Sequence, residues 1–297
     1  MGQTRIEWAT HVWNPVTGCN PISEGCRNCY AERFARRLAG RYGYPKVDPF
    51  RVTLHPERVE EPLRWRKPRR VFVCSMGDLF HDNVPDEYID RVFAAMATAK
   101  QHTFLLVTKR PKRMKNYLTD QCRRGEIARW FSTGAIYRAQ VVASGYEKRI
   151  PWPLPNVWLG VTAENQDRAD ERIPVLLQIP AAVRFVSVEP MLGPVDLTRI
   201  PCPNGCDPET YCVRCCHDYN QNDWGTVNSF EEGISWVIAG GETGPKARPC
   251  HPDWVRSLRD QCQSAGVPFF LKQMHIGGNL VKMPELDGRR WDELPSF

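Results

Sequence analysis

Little in this chain points to a membrane or to secretion. No window approaches the ~18 uninterrupted apolar residues that a bilayer-spanning helix needs. The first residues, Met1-Gly2-Gln3-Thr4-Arg5-Ile6-Glu7-Trp8, lack the apolar stretch of a signal peptide. We therefore expect no signal peptide, no membrane partner and a cytoplasmic location. No internal repeat or low-complexity tract is visible, which argues against solenoids and flexible linkers. Charge of either sign is not dominant: 40 Lys and Arg against 34 Asp and Glu leave +6. That surplus permits a polyanionic partner without requiring one.

Cysteine, by contrast, is abundant, at 12 in 297 residues. In a reducing compartment such thiols are free or bind metal, and they do not form a disulfide framework. Three of them, Cys19, Cys26 and Cys29, fall within eleven residues, in Cys19-Asn20-Pro21-Ile22-Ser23-Glu24-Gly25-Cys26-Arg27-Asn28-Cys29. No fourth Cys lies within thirty residues downstream, so the loop does not fit a four-thiolate zinc site. Three thiolates suit a [4Fe–4S] cluster in which one iron is left open to an exogenous ligand.

The remainder of the chain alternates short apolar runs with amphipathic segments of helical length. The stretch 10–17 reads as a strand leading into the thiol loop, and Tyr30 to Leu38 as a helix. Apolar runs follow at 71–74, 103–107, 157–161, 183–188, 235–239 and 267–271. Between them lie helical patterns such as Ile89, Val92, Phe93 and Met96 behind Pro85, or Val255, Leu258 and Cys262 ending at Gly266. This rhythm predicts an α/β protein, a partial (β/α)6-type barrel of parallel strands with helices outside, formed by a single domain over residues 1–297.

Each apolar run is followed at once by polar groups. They are Ser75 and Asp78; Thr108, Lys109 and Arg110; Thr162 and Glu164; Glu189; Gly240, Gly241 and Glu242; and Lys272 and Gln273. In parallel α/β folds ligands bind at the carboxyl ends of the strands, so these residues are expected to line the site. The bland alternative is that the acids merely cap the following helices. An amine and carboxylate chelating an open iron, with a ribose attached, would find acidic, basic and hydroxyl partners in this set.

At this point the residues resemble a known family. Trp13-Asn14-Pro15-Val16-Thr17-Gly18-Cys19, Cys26-Arg27-Asn28-Cys29-Tyr30-Ala31-Glu32-Arg33, Ser75-Met76-Gly77-Asp78-Leu79-Phe80-His81, Leu106-Val107-Thr108-Lys109-Arg110-Pro111, Val188-Glu189-Pro190 and Gly240-Gly241-Glu242-Thr243-Gly244-Pro245 are similar to the radical S-adenosylmethionine (SAM) superfamily. The nearer likeness is to its phage-encoded uncharacterised branch, related to thymidine-hypermodification isomerases. The resemblance implies a [4Fe–4S] cluster on Cys19, Cys26 and Cys29, SAM at the open iron, an external one-electron reductant and a 5′-deoxyadenosyl radical. From their strand-end positions Ser75 and Asp78 are expected near the methionine amine of SAM and Thr162 and Glu164 near its ribose, with Thr108, Gly240 and Gly241 also among the cofactor-binding residues. Lys109, Glu189 and Glu242 would face SAM or substrate. One departure stands out: the first gap between thiols is six residues instead of three, and Asn28 replaces the aromatic before the last Cys.

A second group, Cys202, Cys206, Cys212 and Cys215, followed by Cys216 and His217, lies in a Pro-, Gly- and Asn-rich insertion at 198–233. Too short to bury its own core, it is expected to hold zinc, with an auxiliary cluster or free thiols as alternatives. Cys74, Cys122, Cys250 and Cys262 are isolated and read as buried small hydrophobes.

For the substrate, the resemblance implies a modified nucleoside in phage DNA, rearranged by an isomerase in the host cytoplasm. A repair-type lyase acting on damaged bases is the alternative within the enzyme class. A zinc-stabilised nucleic-acid-binding protein without catalysis is the alternative outside it. The basic stretches 63–70 and 109–115 and outward-facing Trp residues for stacking are compatible with contacts to the polymer, although the bland reading of 63–70 is a solvated face.

Overall fold

The computed structural model describes residue 4 and residues 6–133, 150–203, 226–230 and 232–295. The protein is mixed α/β with mostly parallel strand pairing. It divides into two compact units, one of Met1–Leu159 with Pro180–Ala182, the other of Gly160–Ile179 with Val183–Phe297. Among the described residues, no helix is long and apolar enough to cross a membrane.

In the first unit, β1 (His11–Trp13) leads through β2 (Val16–Thr17) and the thiol loop into α1 (Tyr30–Arg37). The two-residue β3 (Thr53–Leu54) pairs antiparallel with β2. Then come β4 (Arg70–Val73), α2 (Asp86–Thr98), β5 (Thr103–Thr108), α3 (Pro111–Thr119), α4 (Gln121–Thr133) and the start of β6 (Val157–Thr162). Strands β1, β4 and β5 pair in parallel, with Val71 facing both His11 and Phe104 in register. Their alternation is legible in burial: Val71 and Val73 point inward while Phe72 is half-buried. Helix α2 buries Ile89, Val92, Phe93 and Met96, the stripe that the helical spacing marks. Each such side chain contributes about 1.5–3 kcal/mol by leaving water. Pro85 is extended and caps α2 from outside, and Asp86 and Glu87 then place negative charge on the first turn, where the helix dipole favours it.

The second unit takes the end of β6, then α5 (Gln166–Leu177), β7 (Val183–Val188), β8 (Ile200–Pro201), β9 (Thr226–Val227), β10 (Ile234–Gly240), α6 (Pro252–Ser264), β11 (Phe269–Ile276), β12 (Asn279–Lys282), β13 (Glu285–Leu286) and β14 (Arg289–Arg290). β10 lies between β7 and β11 and pairs in parallel with both. Asn165 caps α5 by accepting from the Arg168 N–H at 3.1 Å. In α6, Val255, Leu258 and Cys262 are buried as the sequence predicts. Gly266, at φ +66°, follows the helix in the left-handed conformation that ends it.

β11 runs further than the apolar run 267–271 suggests. It continues to Ile276 and turns over Gly277 and Gly278, both at positive φ, into the antiparallel β12. A two-glycine loop between two strands is a hairpin signal, one that apolar runs alone do not carry.

Candidate thiol site and strand-end clusters

The thiol loop is fastened before its first cysteine. Gly18 sits at φ +85°, and a Cβ there would lie 2.1 Å from the Arg51 carbonyl oxygen, so only glycine fits. Its N–H donates to the Met76 carbonyl at 2.8 Å, and Gly18 bridges Gly77 in parallel. The loop therefore lies directly against the turn after β4. A short 3-10 turn, Glu24–Cys26, then carries the chain to Cys29, which stands at the N-cap of α1.

Two cations reach the sulfurs from the end of β5. The Arg110 guanidinium donates to Cys19 Sγ at 3.2 Å, and Lys109 Nζ donates to Cys26 Sγ at 3.7 Å. Arg110 is aimed by Asp78, whose carboxylate accepts from it at 3.2 Å and from the Thr108 hydroxyl at 2.8 and 2.9 Å. Asp78 also accepts from the Phe80 N–H at 3.0 Å. Arg110 donates further to the Asn20 carbonyl at 3.3 Å, and the Asn20 side chain meets His81 Nε2 at 2.8 Å. Because His81 Nδ1 accepts from the Asn83 N–H, its Nε2 is the protonated nitrogen that donates to Asn20.

The thiols respond differently to these surroundings. Burial pushes Cys19 up to about 11, with Asp78 adding to the rise and Arg110 opposing it. Burial also raises Cys29. At Cys26 burial acts upward but is outweighed by Lys109 and by hydrogen bonds from Ile22 and Ser23, so the thiol falls below its usual value. Iron would deprotonate all three on binding, as metal coordination does for thiols generally. Among the described residues, no group of three or more His, Cys, Asp or Glu side chains closes around a single metal ion. Thiolates of a cubane bind different irons and stand wider apart than ligands of one ion. The donor set fits such a group in kind, being sulfur on one loop with guanidinium and ammonium groups beside it.

Ser75 and Thr108 face inward. The Ser75 hydroxyl donates to Asn14 Oδ1 at 3.2 Å, and its carbonyl accepts from the Tyr30 hydroxyl. Thr108 donates to Asp78 and accepts from the Arg110 N–H at 2.9 Å. The first unit thus gathers Cys19, Cys26, Asp78, Thr108 and Lys109 into one network and Ser75 into an adjoining one, together with Asn14, Asn20, Tyr30 and Arg110. These last four lie in or beside the motifs around the thiols and strand ends, but their role depends on tertiary neighbours that spacing alone does not reveal.

In the second unit each strand-end acid has a cation. Glu164, fully buried, accepts from the equally buried Arg172 at 2.8 Å, and the same nitrogen reaches the Thr162 carbonyl at 2.9 Å. Glu242 holds Arg248 in a fork, at 2.5 and 3.0 Å, and also accepts its N–H at 2.9 Å. Glu189 pairs with Lys272 and receives the Gln273 amide at 3.4 Å, while Gln273 also donates to the Gly241 carbonyl at 2.8 Å. Gly240 leaves room for Glu189, whose side chain a Cβ would approach to 3.3 Å. Arg172 and Arg248 follow their acids by eight and six residues, a pairing that position at a strand end does not announce.

Of the second cysteine group, Cys202 is buried, whereas Cys206, Cys212 and Cys215, with Cys216 and His217, lie outside the described residues. Cys74, Cys250 and Cys262 are buried as expected, but Cys122 is exposed on α4, where the helix turns it to solvent. The expected outward-facing Trp side chains are mostly inside. Trp8, Trp13, Trp158, Trp236 and Trp291 are buried, because their large apolar rings fill the core, and Trp65 is half-covered by His11, His102 and Arg69.

No curated protein and no solved structure shows significant similarity to the chain. One family model matches residues 3–295, nearly the whole sequence. The chain belongs to that family, described as "Protein of unknown function (DUF5131)".

Proposed function

We propose that this protein is a radical SAM enzyme whose [4Fe–4S] cluster is held by Cys19, Cys26 and Cys29. When bound, such a cluster passes one electron to SAM, whose sulfonium–C5′ bond breaks to give methionine and a 5′-deoxyadenosyl radical that abstracts hydrogen from an unactivated C–H. The observation that carries the reading is the pairing of Lys109 with Cys26 and of Arg110 with Cys19. Positive charge beside sulfur favours thiolate and offsets the negative charge that three thiolates bring. Asp78 orients Arg110 through its carboxylate, and Gly18 locks the loop to the turn at Gly77. In the second unit, the Glu189–Lys272 pair, which keeps some exposure, and the buried Gln273 beside it offer both donors and acceptors to a polar ligand.

The partial (β/α)6-type barrel belongs to this reading. So does the substrate class: a hypermodified thymidine in DNA, taken out of the base stack and rearranged by an isomerase. An external reductant supplies the electron.

The test is anaerobic reconstitution with iron and sulfide, followed by SAM and dithionite. We expect broad absorbance at the blue end of the visible spectrum and release of 5′-deoxyadenosine. Zinc at the thiol loop with no deoxyadenosine would refute the reading.

A further inference from the structure

Helix α1 is built the wrong way round for folding alone. Its buried side chains are only Ala31 and Ala35, while Phe34 stands outside at 49% exposure and Tyr30, whose hydroxyl reaches the Ser75 carbonyl, keeps 37%. Among the described residues, nine large apolar side chains are left exposed, and five of them fall between residues 22 and 47: Ile22, Tyr30, Phe34, Tyr42 and Val47. Tyr42 is 75% exposed on a backbone at φ +49°, a conformation that costs energy for an aromatic residue. Arg58 holds it there by donating to the Tyr42 carbonyl at 2.6 Å. The ring is therefore presented from a fixed backbone.

The same segment is strongly basic. Residues 22–48 carry six Lys and Arg against three Asp and Glu, a surplus of +3 that is half the chain's +6. Arg27, Arg36, Arg37, Arg41 and Lys46 are exposed, and the Arg37 guanidinium lies 5.7 Å from the Phe34 ring centre. Exposed flat rings interleaved with cations are the pattern that binds single-stranded nucleic acid, with bases stacking on the rings while phosphates meet the charges. A duplex hides its base faces, and an acidic protein answers the cations but not the rings.

We infer that the outer face of α1 and the following loop form a cradle for a single-stranded polynucleotide, held beside the thiol loop that precedes them. The inference rests on the DNA substrate of the proposed function, and it moves the nucleic-acid interface from the Trp side chains to Phe34 and Tyr42.

The test uses the full-length protein and a fluorescein-labelled single-stranded DNA of about 16 nucleotides, compared by anisotropy with the same sequence as duplex. The single strand binds more tightly. Phe34→Ala with Tyr42→Ala weakens binding about tenfold or more, as expected when base stacking is removed. Phe34→Leu with Tyr42→Leu, which keeps apolar bulk without a ring, weakens it by a similar factor. Arg37→Gln with Arg41→Gln weakens binding and lowers the salt slope by about 0.7 for each phosphate that is no longer neutralised. Equal affinity for duplex, or unchanged affinity in both ring variants, overturns the inference. It is equally overturned if the ring variants keep DNA binding but lose reduction by an acidic one-electron carrier protein, since the face is then a reductant dock. SAM cleavage with dithionite, run on the same samples, separates the two ideas: it persists in every variant if only the cradle is wrong, and is missing from the unaltered chain if the radical reading is wrong.

Discussion

The two units handle charge at their strand ends in opposite ways. In the second, each acid is matched by a nearby cation, Glu164 by Arg172, Glu189 by Lys272 and Glu242 by Arg248. In the first, the cations Lys109 and Arg110 extend beyond the carboxylate to sulfur, and Asp78 serves to aim one of them. Position at the end of a parallel strand therefore does not by itself make a residue a ligand-binding group. What distinguishes the two sets is where the opposite charge points.

The largest expected effect is chemical. Cys26→Ala removes one of the three proposed iron ligands and should abolish 5′-deoxyadenosine formation, with iron content falling alongside. Full cleavage by this variant would erase the contrast between the units. Next is the buried pair of the second unit. Glu164→Gln or Arg172→Met strands its partner in the core and should cost about 3–5 kcal/mol of stability, read from urea unfolding. Glu189→Gln, at a pair whose side chains keep 18% and 14% exposure, should cost less than breaking the fully buried pair. If the two substitutions destabilise equally, burial is not what separates a structural acid from an available one.

A subtler effect belongs to Arg110. Arg110→Gln removes a charged donor from Cys19, and hydrogen bonds to cluster sulfurs help set the reduction potential. The reduced form carries more negative charge, so the variant's cluster should become harder to reduce in a redox titration while still assembling. The smallest effect is in the metal-free chain. Cys26, held below its usual value, should react with iodoacetamide at lower pH than Cys19, which is pushed up to about 11. Lys109→Met should narrow that difference by raising Cys26, since Lys109 is the largest of the influences that lower it, while the rise that burial causes at Cys19 remains.

Much of the fold was legible because apolar periodicity is a direct record of burial. The runs at 103–107, 157–161, 183–188 and 235–239 fall on strands, as does 71–74 except for Cys74, and the Ile89 and Val255 stripes fall on helices. The antiparallel hairpin at Gly277 and Gly278 was missed because β12 is exposed and leaves no apolar run. In the candidate site, residue types were legible but partners were not. Nothing in Lys109-Arg110 says that both turn to thiols, since that depends on β5 ending beside the 19–29 loop. Likewise Arg172 pairs with Glu164 only because the intervening turn of α5 brings it back. The thiol spacing suggested a metal and so underlies the proposal, whereas the Trp residues misled because hydrophobicity draws large rings inward even in a basic chain.

The central claim, that Cys19, Cys26 and Cys29 hold a cluster with one iron open to SAM, is tested most directly by electron paramagnetic resonance. The reconstituted, dithionite-reduced chain is measured with and without SAM. The account predicts a reduced-cluster signal in the unaltered protein that changes when SAM is added, and loss of that signal in Cys26→Ala. A signal identical with and without SAM, or one that survives intact in Cys26→Ala, would contradict it.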